Sequence, residues 1–190
     1  MEVGLGAVQG GGSVELNLLR WDGPLALVFH VDALSVLFAF MGSGLGGIVL
    51  LYSVAYMASD ASATRFYATM LIFIAGFIAL VYSANLLFIY LCWEVIGLCS
   101  FSLVGFWYTK REAVLGARKV LLMTHIAGYG LLAACLIVFF RTGTVLWTDP
   151  AVAHTFTFGI FLLMLVAVLA KSVQVLCTLG FPRLWRRPPL

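Results

Sequence analysis

Apolar residues run in five stretches along the chain, each long enough to cross about 30 Å of hydrocarbon as a helix, with polar residues gathered at the ends. The pattern predicts spans at about 32–57, 66–83, 86–107, 114–140 and 156–178. β-Strands cross a bilayer only as a closed barrel with alternating polarity, and these unbroken runs do not alternate, so the fold class is an all-α integral membrane protein. Only Ser83, Ala84 and Asn85 separate the second and third spans, which predicts a tight helical hairpin.

The segment 14–31, VELNLLRWDGPLALVFHV, has a different pattern. Two strand-like runs flank Trp21-Asp22-Gly23-Pro24, and Asp-Gly is a hairpin turn signal. A short β-hairpin on the membrane surface is expected there, preceded by a flexible glycine-rich start at residues 4–12. The chain therefore divides into a start and hairpin (1–31), a five-helix transmembrane domain (32–178) and a basic tail (179–190). No basic stretch followed by an apolar core occurs in the first thirty residues, so no signal peptide is read.

Composition sharpens the class. Hydrophobic residues make up 63% of the 190 and charged residues 10%, against about 25% charged in soluble domains. The small net charge of +3 gives no reason to expect a nucleic-acid partner; the lipid bilayer is the expected surrounding. Where Lys and Arg fall matters more. The loop YTKREAVLGARK (108–119) carries Lys110, Arg111, Arg118 and Lys119, and the tail carries Arg183, Arg186 and Arg187. Alternation of five helices puts both on one side, expected to be cytoplasmic, with residues 1–31 outside a cell (inner or plasma) membrane. Trp107, Tyr108 and Trp147, at span ends, fit an aromatic belt. Cys92, Cys99, Cys135 and Cys177 show no metal spacing and read as small hydrophobes. No Walker, Rossmann, haem-ligand or zinc pattern is present, so no metal or cofactor is expected.

Two charges stand out inside apolar spans, Glu94 in LLFIYLCWEVIGLCSFSLVGFW and Lys171 in FGIFLLMLVAVLAKSVQVL. A charge at bilayer depth costs roughly 2.5–3.5 kcal/mol on insertion scales, so a chain that carries two of opposite sign is expected to use them for proton or cation handling. Glu94 lies nine residues into its span, about 12 Å from the outer end, where burial and a nearby cation pull its proton affinity in opposite directions. The alternative is a static ion pair locking two helices. Lys171, about 22 Å from the outer end, is close enough to the inner surface to snorkel instead. His125, twelve residues into the fourth span beside Thr124, Gly128 and Gly130, reads equally as a proton relay or as a hydrogen-bonded packing residue. Lys119, at the entry of the same helix, is by position an interfacial anchor, and Asp32 is a helix cap.

The stretches HVDALSVLF, ANLLFIYLCWEVIGLCSFSLVGFWY, GARKVLLMTHIAGYG and AKSVQ resemble the large proton-conducting membrane subunits shared by respiratory complex I (NADH-quinone oxidoreductase chain L, or subunit 5) and Mrp-type cation/proton antiporters. The resemblance covers about residues 29–174. It implies an antiporter-like fold of two inverted five-helix repeats, each with a broken helix, of which this chain holds part of one. It also implies that Glu94 is the family's intramembrane glutamate, that Lys171 is its partner lysine, and that Lys119 matches a lysine between them. Changing the Glu94–Lys171 separation would then expel the lysine's proton. His125 stands where chain L proteins often carry arginine, and Gly128 where they carry aspartate.

The resemblance implies a proton-translocating subunit coupled to quinone reduction, with no cofactor or redox chemistry of its own and with other membrane subunits as partners. An antiporter subunit exchanging sodium or potassium for protons is the alternative, and an inactive fragment is a third reading. After Gln174 the family continues with a proline-broken helix, whereas this chain reads VLCTLGFPRLWRRPPL. Codons for Leu176 to Pro188, read one frame over after an added C, can give P-L-H-T-W-I-P-E-A-M-E-A-P, close to the family's continuation. Residues 176–190 are therefore expected to be out-of-frame, and two helices are expected to be missing before the hairpin.

Overall fold

The computed structural model describes residues 2–4, 13–20 and 26–172. Three strands, β1 (Glu2–Gly4), β2 (Val14–Arg20) and β3 (Leu27–Val31), precede α1 (Ala33–Tyr56), α2 (Ala63–Tyr82), α3 (Leu86–Val104), α4 (Arg111–Thr142), α5 (Pro150–Thr155) and α6 (Phe158–Lys171). The first four helices are long and apolar enough to cross a membrane. α6 is apolar and its 14 residues stop at Lys171. The expected turn at 21–24, residues 5–12 of the expected flexible start, the end of the fifth span, Cys177 and the tail with its proposed frame change lie outside the described residues.

The hairpin forms as the sequence pattern predicts, with β2 and β3 antiparallel and Glu15 opposite His30. β1 adds a third strand beside β2, where a flexible start was expected. α1 begins with a capping box. Asp32 accepts from the Ser35 N–H at 2.7 Å and Ser35 Oγ accepts from the Asp32 N–H at 2.9 Å, so orphan amides at the helix start are satisfied. That donation holds the Asp32 carboxyl below the usual carboxylate range.

Several boundaries differ from expectation. α3 ends at Val104, not 107, because the chain turns at Gly105 so that Phe106 is buried, leaving Trp107 and Tyr108 in the loop. α4 runs from Arg111 rather than 114, since its charged first turns are good helix formers that a hydropathy reading discards. The stretch before the fifth span forms a separate helix, α5, with Asp149 accepting from the Ala151 N–H and Pro150 in the first turn.

α1 and α2 pack through small residues. A Cβ at Gly42 would overlap the Phe77 ring, and one at Gly46 would lie 2.6 Å from Ile74, so this GxxxG spacing admits α2's bulky side chains. α3, α4, α5 and α6 enclose the main core of Leu86, Leu131, Ala134, Cys135, Val138, Val152, Ile160 and Ala167, toward the end that carries the sheet.

That sheet end is tied together by the turn between α2 and α3. Asn85 caps α3, accepting from Leu87 and Phe88 N–H groups, and donates to the Ala26 carbonyl at 2.8 Å. Ala84 N–H donates to Val28 on β3, while the Ala84 carbonyl accepts from Trp147 N–H. Trp147 Nε1 donates to the Ser83 carbonyl at 3.0 Å. At the opposite end Arg65 donates to the Phe106 carbonyl at 2.5 Å and stacks over the Phe106 and Tyr108 rings. Lys110 lies over the Trp107 ring, and Trp107 Nε1 donates to Asp60. These contacts join the α1–α2 turn to the basic loop.

Candidate proton-relay site

Glu94 is the ninth residue of α3 and so stands near mid-helix, about 12 Å from its start. Its carboxylate is in direct contact with Nδ1 of His125 on α4. Both are partly covered, with side-chain exposures of 18% for Glu94 and 28% for His125. The approach depends on Gly128, one turn further along α4, because a Cβ there would overlap Glu94 Oε1. Gly130 does similar work toward α6, where a Cβ would lie 2.7 Å from the Leu163 carbonyl oxygen. The fourth helix is therefore smooth where α3 and α6 press on it.

Lys171, the last residue of α6, turns into the bundle. Its ammonium donates to the backbone carbonyl of Trp93, the residue before Glu94. It also lies 4.3 Å from the centre of the Trp93 ring. Gly97, one turn along α3, leaves the space open, since a Cβ there would be 3.9 Å from Lys171 Nζ and 3.8 Å from Thr124 Oγ1. Among the described residues, carboxylates meet basic side chains at Glu94–His125 and Glu15–His30, so the direct partner of Glu94 is the histidine.

The structure thus gathers Glu94, His125 and Lys171 at the contact of α3, α4 and α6. It leaves Lys119 apart, exposed on α4 about 9 Å toward the basic loop from His125. Thr124 donates to the Val120 carbonyl and not to the charged groups. Sequence reasoning missed Trp93. Its place directly before the glutamate was visible, but which atoms meet the lysine depends on how α3 is rotated against α6. The proton chemistry available here is a carboxylate with two bases near it. The histidine contacts it, and the lysine sits on the carbonyl of the residue before it.

A family model described as NADH:quinone oxidoreductase/Mrp antiporter, TM, matches residues 83–188, which include the whole of this cluster. A second, described as NADH-Ubiquinone oxidoreductase (complex I), chain 5 N-terminus, matches residues 22–67. The chain belongs to the NADH:quinone oxidoreductase/Mrp antiporter membrane-subunit family. Among its relatives, NADH-quinone oxidoreductase subunit L of Mycobacterium tuberculosis is 36% identical over 77% of this chain and 24% of its own length. The A1 subunit of the Na(+)/H(+) antiporter of Staphylococcus haemolyticus is 32% identical over 86% of this chain and 21% of its own. A structure of the Mrp complex from Dietzia sp. DQ12-45-1b contains a chain that aligns with a TM-score of 0.73 and 25% identity, covering 85% of this chain and 18% of that one. The chain is thus similar to both branches of the family and spans between a fifth and a quarter of the length of these two sequence relatives. Membership makes it a multi-pass membrane protein with the antiporter-like fold.

Proposed function

We propose that this chain moves protons across the membrane through Glu94, His125 and Lys171, as a subunit of a complex I-like NADH-quinone oxidoreductase assembly. The observation that supports this reading most is that one carboxylate has two basic side chains beside it on different helices, with His125 in contact and Lys171 on the main-chain carbonyl of the preceding residue, Trp93. Intramembrane ionisable groups are functional by default. Approach of Lys171 to Glu94 neutralises the carboxylate and lets His125 release its proton; withdrawal lets His125 take one up again. Lys119, exposed toward the basic loop, stands on the supply side of His125. The basic loop 108–119 faces the cytoplasm and residues 1–31 face outward, following the distribution of Lys and Arg.

Proton flux, measured in membrane vesicles from cells that make the protein, tests this. Glu94→Gln is expected to abolish the flux, with His125→Gln and Lys171→Gln each reducing it at least tenfold. Flux unchanged in Glu94→Gln contradicts the reading. A second reading, exchange of sodium or potassium for protons in an Mrp-like assembly, is favoured by the likeness to the antiporter relative and to the Mrp complex. It predicts that an imposed sodium or potassium gradient drives proton movement without any electron donor, which the first reading does not.

A further inference from the structure

We infer that Trp93 is a positioning residue for the lysine of the relay: its ring face and its main-chain carbonyl form a seat in which the Lys171 ammonium rests while Glu94 is held by His125. The inference rests on the relay reading and names a part that reading does not contain. Three observations on one patch of α3 carry it. The ammonium donates to the Trp93 carbonyl. It lies 4.3 Å from the ring centre, inside the range in which an indole attracts a cation. Gly97, on the same face one turn away, is buried and leaves the ammonium room.

A seat of this kind has a physical purpose. An ammonium withdrawn from water needs replacement partners, and a carbonyl dipole with an aromatic face supplies them without a second carboxylate. Trp93 and Glu94 are consecutive, so their side chains diverge by about 100° around α3. Lys171 therefore passes from seat to carboxylate by a small movement of its side chain or of α6, and the alternative partner is neutral. The ring biases where the lysine rests, and through that how often the carboxylate is exchanged between its two bases.

The test uses the chain labelled with 5-fluorotryptophan in lipid vesicles, together with flux in native membranes. The chain has five tryptophans, so the Trp93 signal is assigned as the fluorine resonance lost in Trp93→Phe. Replacing the cation by Lys171→Gln is expected to move that resonance. Trp93→Leu is expected to lower proton flux roughly 3- to 30-fold, the range a desolvated cation–π contact implies, while Trp93→Phe keeps most of the flux because an aromatic face remains. A resonance unmoved by Lys171→Gln overturns the seat. Flux equal to wild type in Trp93→Leu, or lost equally in Leu and Phe variants, overturns the positioning role. None of these outcomes coincides with failure of the relay itself, which is read from Glu94→Gln.

Discussion

The sheet end of the bundle and the charged layer deeper within it are built on opposite terms. At the sheet end, the α2–α3 turn uses its polar groups for structure: Asn85 is 1% exposed, caps one helix and reaches across to the strand segment at Ala26. Ala84 bonds β3 on one side and the Trp147 loop on the other. In the charged layer, glycines clear the way for the titratable groups to meet. Glu94 meets His125 over the bare face of Gly128, and Lys171 rests on a neutral seat beside them. The difference teaches where hydrogen bonds fix the chain and where the proposed relay requires it to rearrange. Fixed hydrogen bonds hold the spans in register at one end, and the proposed relay needs only small displacements further in.

Substitutions at the two places should separate stability from transport. The largest loss of stability is expected from Asn85→Leu, which removes the α3 cap and strands the Ala26 carbonyl; about 2–4 kcal/mol follows from a lost cap and one buried unsatisfied group. Denaturant unfolding in detergent checks it, and a cost under about 0.5 kcal/mol, below even a single lost cap, would deny the turn its structural role. Gly128→Ala should do the reverse. The added methyl overlaps Glu94 Oε1, the end of a flexible side chain that can swing away, so stability should change by less than about 1 kcal/mol while proton flux falls at least tenfold. Equal flux in Gly128→Ala and wild type would mean that the His125 contact is not needed.

The smallest effect concerns the α1 start. The Asp32 carboxyl is held low by the Ser35 N–H, so its contribution is fully present above the ordinary carboxylate range, near pH 4, and fades as pH falls through the lower folded value. Protection of the Ser35 amide from hydrogen exchange, relative to its intrinsic rate at each pH, should fall only under such acid conditions, and Asp32→Ala should abolish that dependence. Loss of protection already near neutral pH would contradict it.

Much of this organisation was legible in the residues. Uninterrupted apolar runs marked the helices, Asp-Gly between strand-like runs marked the hairpin, and Asp32 before an apolar run marked a cap. Glu94 and Lys171 were legible because charge is rare at depth. The pairing among them was not. Whether His125 faces α3 or lipid depends on the rotation of α4, which is set by how Gly128 and Gly130 let neighbouring helices approach. Trp93 stood visibly before Glu94, but its contact with Lys171 depends on how α3 is rotated against α6, which no periodic signal in an apolar run reveals. α5 was hidden for another reason: Asp149-Pro150 is a helix start, but six residues are too few to register as an apolar stretch.

The central claim is that Glu94 takes up and releases a proton under the control of its two neighbouring bases. Infrared difference spectroscopy on the chain in lipid, with 13C-labelled glutamate, observes that event at the carboxyl itself. The account predicts a protonated-carboxyl band that comes and goes with pH, is absent from Glu94→Gln, and is displaced in both His125→Gln and Lys171→Gln. The same band pattern in wild type and Glu94→Gln would contradict it.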